Sequence, residues 1–152
     1  MNYNLMNQSL GFLISVTHRR SSQVVLNRLK VFCITPEQWS VLYRLSDKDG
    51  ISQKEIAIRS EKDQPTITRI LDSLFQKGLI EKKSSEKDRR VSLVFVTEKG
   101  RSVLKETIPI EKSVWEDLTK GFTDEERHLL KELLFKVNNN ITMITENEHH
   151  ED

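Results

Sequence analysis

The chain has 152 residues and 17.8 kDa, the size of one domain or of one domain carrying a helical arm. With 36% hydrophobic and 31% charged residues, 5 Gly, 3 Pro and a net charge of +1, it is too poor in Gly and Pro for a collagen-like or disordered chain. The apolar deficit predicts elongated helices or a protomer that completes its core against a partner, and the single cysteine, Cys33, excludes an intrachain disulfide framework or a Cys-based zinc cluster.

In chain order, Asn7 to Phe32 reads as a helix, with Leu10, Leu13, Ile14, Val24, Val25, Leu29 and Phe32 at loose helical spacing around the polar block His18–Gln23. Leu10–Ile14 is far shorter than the ~20 apolar residues of a membrane span. It also has no basic run before it and no cleavage pattern after it, so no leader and no membrane contact are expected. Thr35-Pro36-Glu37-Gln38 is a capping box with proline in the first turn, opening a helix that Gly50 stops. Ser52 and Glu55 repeat the box for a short helix to about Ser60. After a turn through Glu61-Lys62-Asp63, Asp63 can cap a further helix in which Ile67, Ile70, Leu71 and Leu74 form one stripe, ended by Gly78.

The period then changes. Residues 79–83 and 91–96 read as two strands around a charged hairpin tip, Ser84 to Arg90. Thr97 to Gly100 opens a long helix that Pro109 should kink or interrupt. Thr123–Glu126 is a third capping box, leading into a helix carrying Leu129, Leu130, Leu133, Leu134, Val137 and Ile141; Asn147 to Asp152 reads as frayed.

Two short helices joined by a tight turn and followed by a hairpin give the order of a winged helix-turn-helix: mainly α with a small β-hairpin wing, flanked by further helices. A capped polar helix of this kind fits the major groove, where base edges are distinguishable, and a charged hairpin beside it reaches phosphates or the minor groove. The charge layout agrees: residues 51–101 carry a net +4, against +3 before and −6 after. At about 100° per residue, Pro65, Arg69, Asp72 and Gln76 fall opposite the apolar stripe, with Thr66 and Thr68 at its flanks and Gln64 at the first helical position. Arg69 suits a guanine edge, and the threonines suit phosphate or a thymine methyl. Alternatively, Arg69 and Asp72 form an ordinary i,i+3 surface pair. At the hairpin tip, Asp88 can orient Arg89 or Arg90 by a charge-assisted hydrogen bond, or the three can make a merely solvated turn.

The segments TPEQWSVLYRL, SQKEIAIRS, QPTITRILDSLFQKGLIEKK and DRRVSLVFVTEKG, in that order and spacing, resemble the MarR family of winged-helix transcription regulators, the SlyA-like branch most. The resemblance implies a cytoplasmic homodimer on double-stranded DNA, a repressor whose DNA affinity a ligand lowers, with one recognition helix per half-site of a near-palindromic operator. It implies dimerisation through residues 1–34 and 101–147, DNA binding through 35–100, and a tail at 148–152. It implies that Arg90 enters the minor groove, held by Asp88, and that Ser52, Gln53 and Lys54 lie near backbone phosphates, where helix N–H groups favour an anion. The chain departs from the family at Glu61 and Asp63, which bring acid close to the recognition helix, and at Ser60 and Lys62, which stand where apolar residues are usual.

In proteins of this kind a small aromatic anion can bind between the dimer helices and the DNA-binding lobe. His18, Arg19, Ser22 and Trp39 are the expected lining here; a polar interhelix contact beside a core tryptophan is the alternative. Cys33, between Phe32 and Ile34, is expected to be buried and inert. His149 and His150 read as part of the tail, and no resident cofactor or metal is expected. No nucleophile–base set or glycine-rich phosphate loop is legible, so the chain is expected not to be an enzyme; a winged helix serving only protein contacts is the rival function.

Overall fold

The computed structural model describes residues 9–148. The expected helix start at Asn7 and the tail residues from His149, including His150, lie outside them. Among the described residues, six α-helices and one small antiparallel sheet fall into two compact units, divided between Val114 and Trp115.

Helix α1, Leu10–Leu29, starts at Ser9, whose Oγ accepts from the Phe12 N–H at 3.2 Å. The polar block at His18–Gln23 does not break it, because Ser21 satisfies its own hydroxyl on the His18 carbonyl while Val25 and Leu29 are buried. The chain leaves α1 through a 3-10 turn, Lys30–Phe32, so the helix ends earlier than its apolar spacing predicts. Cys33 then takes a left-handed conformation (φ 53°) that turns the chain and leaves it exposed, although Ile34 is buried in the core and Phe32 packs against it.

Helix α2, Pro36–Asp47, has the full reciprocal capping box: Gln38 N–H donates to Thr35 Oγ1, and the Thr35 N–H donates to Gln38 Oε1. A two-residue strand β1, Ile51–Ser52, follows and leads into α3, Gln53–Ser60. Here the box is only half made. Ser52 Oγ accepts from the Glu55 N–H, but Glu55 turns its carboxylate to Lys48 and Arg59, each about 3 Å away. The Lys48 hydrogen bond is the main influence holding the Glu55 pKa below its ordinary value. Glu61, at φ 49°, ends α3, and Asp63 caps α4, Gln64–Gln76.

The α4 stripe is buried as its spacing predicts: Ile67, Ile70, Leu71 and Leu74 pack with Leu42, Leu45, Ile56 and Val94. The wing consists of β2, Ile80–Ser84, and β3, Ser92–Val96, paired from Ile80↔Val96 to Ser84↔Ser92. β1 adds a third strand on the other side of β3, through Ile51↔Val94 and Ser52↔Leu93. Helix α5, Glu98–Leu118, runs through Pro109, so of the expected kink or interruption the interruption does not occur. Its Gly100 lies so close to the Leu79 carbonyl oxygen that any Cβ there would collide with the backbone. Helix α6, Asp124–Glu148, opens on the complete Thr123–Glu126 box and continues past Asn147, where fraying was expected.

Candidate nucleic-acid interface

The two helices of the helix-turn-helix are locked at their polar edges. Gln53, at the start of α3, donates from Nε2 to Thr68 Oγ1 at 2.6 Å, and that hydroxyl donates to the Gln64 carbonyl at 2.9 Å. At the start of α4, Asp63 accepts from both the N–H and the hydroxyl of Thr66, each at 2.8 Å. These bonds, the backbone one first, hold the Asp63 pKa below the usual carboxylate value. The Asp63 carboxylate at the start of α4 is therefore occupied by its own helix. Both threonine hydrogens are also spent inside the protein. What Thr66 and Thr68 retain for a ligand is lone pairs and methyl groups, and a phosphate needs a donor.

Pro65, Arg69, Asp72 and Gln76 are all exposed on the outer face of α4, as the 100° spacing requires. Arg69 and Asp72 do not pair with each other. Arg69 Nη2 lies 3.3 Å from Glu37 Oε2 on α2, and Asp72 Oδ1 lies 3.2 Å from Lys82 Nζ on β2. Tertiary neighbours outcompete the local pair because α2 and the wing bring opposite charges alongside α4. Ser52 Oγ serves the α3 cap, and Lys54 stands exposed in its first turn. Here the first N–H groups of the helix can attract an anion.

At the wing tip, Asp88 Oδ1 accepts from the Arg90 N–H at 3.0 Å and lies 3.6 Å from Arg90 Nε. The turn is closed by the Val91 N–H on the Asp88 carbonyl and the Ser85 N–H on the Val91 carbonyl. Arg89 is exposed and the Arg90 side chain is 95% exposed, so Asp88 sets the backbone of the tip while the guanidinium stays in solvent. Along β2, Lys82 lies 5.7 Å from the Phe75 ring and Lys83 lies 5.1 Å from the Phe95 ring, distances at which the aromatic faces attract the ammonium groups.

A separate cleft of about 500 Å³ opens between α1 and the start of α2. Its polar lining includes His18, Arg19, Ser22, Glu37 and Lys62, with Leu26 and Pro36 as apolar wall. The structure brings three of the four expected pocket residues together here and leaves Trp39 out. Its indole donates from Nε1 to Thr107 Oγ1 on α5 at 2.8 Å and stacks on Tyr43 at 5.1 Å. Glu37 and Lys62 were not singled out as lining from the sequence; their charge was visible, their approach to α1 was not. Ser60 Oγ is buried without a hydrogen-bond partner.

Comparison with known proteins accounts for this arrangement. The MarR family model matches residues 34–92, the segment holding both helices and most of the wing. The uncharacterised HTH-type transcriptional regulator YybA of Bacillus subtilis (strain 168) is 31% identical over 112 residues, covering 71% of this chain and 72% of YybA. Among solved structures, the transcriptional repressor CouR bound to a 23-mer DNA duplex superposes with a TM-score of 0.83 at 27% identity, covering 91% of this chain and 98% of that one. A mutant MarR from E. coli complexed with operator DNA gives 0.82 at 28% identity, covering 88% and 98%. The chain belongs to the MarR family of winged helix-turn-helix transcription regulators.

Proposed function

We propose that this protein is a homodimeric, sequence-specific DNA-binding repressor of the SlyA-like type, acting in the cytoplasm on a near-palindromic operator. A small aromatic anion lowers its affinity. The observation that carries the reading is the outer face of α4: its inner stripe is fully buried, so Pro65, Arg69, Asp72 and Gln76 have no core to serve. Beside them stands a wing tip with an almost fully solvated Arg90. That is the layout a major-groove helix and a minor-groove arm require. CouR and E. coli MarR, both solved on DNA, share the fold.

In this reading Arg69 takes a guanine edge, and Thr66 and Thr68 offer methyl groups to thymine, with Gln64 and Pro65 alongside. Ser52, Gln53 and Lys54 meet backbone phosphates. Arg90, with Asp88 and Arg89, takes the minor groove. Residues 35–100 do this work, and 1–34 with 101–147 hold the partner. Dimerisation is supported by the exposed apolar residues of α1 (Leu10, Phe12, Leu13, Ile14) and by residues 115–147, none of which is buried. A helical segment with Leu129, Leu130, Leu133 and Leu134 outside needs a second surface. The cleft, with Arg19 and Lys62 in its wall, suits the anion.

A genomic-fragment selection at two salt concentrations tests the whole. Sequence-selective, salt-sensitive retention is expected; no retention even at low salt would favour the rival, a winged helix that serves only protein contacts.

A further inference from the structure

Glu37 touches two places at once. It occupies the second position of α2, where the helix N-terminus favours a carboxylate. One of its oxygens is 3.3 Å from Arg69 Nη2, the outward guanidinium of the recognition helix. The other is 3.9 Å from Lys62 Nζ, and both Glu37 and Lys62 line the cleft. The two cations differ in setting: the Arg69 side chain is 68% exposed and that of Lys62 only 25%.

We propose that Glu37 is a shared counter-ion that competes with DNA for Arg69, and that charge neutralisation at Lys62 in the cleft strengthens this competition. The inference rests on the DNA-binding reading above and names its regulation. A carboxylate against Arg69 opposes the approach of a base edge or phosphate, so DNA must first displace it. Lys62 draws the same carboxylate the other way. An anion lodged against Lys62 cancels that pull and repels Glu37 from the cleft, leaving its charge to Arg69; DNA affinity falls. By linkage, DNA that captures Arg69 returns Glu37 to Lys62 and makes the cleft less favourable to an anion. The sign is that of a repressor released by an anionic ligand.

Lys62→Gln imitates a neutralised cleft without any ligand, so operator affinities of the full-length protein decide the matter. Exposed ion pairs of this kind shift equilibria by about two- to fivefold. Glu37→Gln should bind the selected operator tighter by about that factor, with the gain shrinking as salt is added. In an Arg69→Ala background the same substitution should gain nothing, which a purely structural role of Glu37 would not predict. Lys62→Gln should weaken binding in the parent and have no effect in the Glu37→Gln background. Thermal melts of each variant verify folding. Three results would overturn the inference: a Glu37→Gln protein that melts like the parent yet binds no tighter, a gain that persists without Arg69, or an equal loss from Lys62→Gln in both backgrounds, which would make Lys62 a direct phosphate ligand. In each of these the parent still binds DNA and only the Glu37 link fails; a parent that retains no fragment removes the DNA-binding reading and this inference with it.

Discussion

Arg69 and Arg90 are both exposed arginines near a carboxylate, but they stand on different supports, and the proposed reading predicts different losses when each is removed. Arg69 projects from a helix whose opposite side is fixed in the core, so in the proposed complex its position along the groove is set by that helix. Replacing it with Ala should cost about 1–3 kcal/mol at the cognate site and relax base preference at one position, measured by operator selection and titration. Arg90 sits on a turn; Arg90→Ala should weaken all sequences more evenly and lower the salt slope by about 0.9 for each phosphate it no longer neutralises. If both variants bind as the parent does, these assignments are wrong. Thr68 is a finer case. Its hydroxyl is held between Gln53 and Gln64, so under the proposed reading only the methyl is left to meet a base. Replacing thymine by uracil at one half-site position should weaken the parent, and Thr68→Ser should be indifferent to that replacement. A Thr68→Ser protein equally sensitive to uracil would show that this methyl does not read the base.

At the scale of elements, the start of α4 depends on an ionised cap. Asp63 has a pKa lowered by the Thr66 N–H and hydroxyl, so its contribution to stability is present above the ordinary carboxylate pKa and is lost as pH falls through the lowered value. Thermal melts in acid should show Asp63→Asn losing less stability than the parent between neutral pH and the range below the usual aspartate pKa. An identical acid dependence would remove Asp63 from the account. The same scale explains β1. Two residues carry no periodicity, yet they pair with β3 because the turn at Gly50 and the α3 cap at Ser52 leave the intervening backbone extended beside Val94. The wing is thereby tied to the helix-turn-helix, and Lys82 against Asp72 adds a second tie between them.

For the whole molecule, the low apolar content has a location. The first compact unit, ending at Val114, buries a continuous core, whereas none of residues 115–147 is buried, though this segment carries five leucines, two phenylalanines and two isoleucines. Light scattering should therefore give twice the protomer mass. Leu133→Asp, placing a charge on that face, should shift the protein toward a protomer and abolish operator binding at concentrations where the parent is bound, because two half-sites need two linked helices. A parent that stays a protomer, or a monomeric variant with unchanged affinity, would defeat the dimer.

The order of helices, the capping residues Thr35, Ser52, Asp63 and Thr123, and the buried stripe of α4 were legible in one dimension because caps and apolar spacing act within a turn or two of the chain. The outward residues of α4 followed by subtraction. What could not be read was every pairing across elements: Arg69 with Glu37, Asp72 with Lys82, Trp39 with Thr107, and Lys62 in the wall of a cleft beside α1. Cys33 escaped for the same reason, since its exposure follows from a left-handed turn and not from its neighbours' character. Electrostatic and hydrogen-bond partners act over a few ångströms of space, and residues tens of positions apart come within that reach only once the core has drawn their helices together.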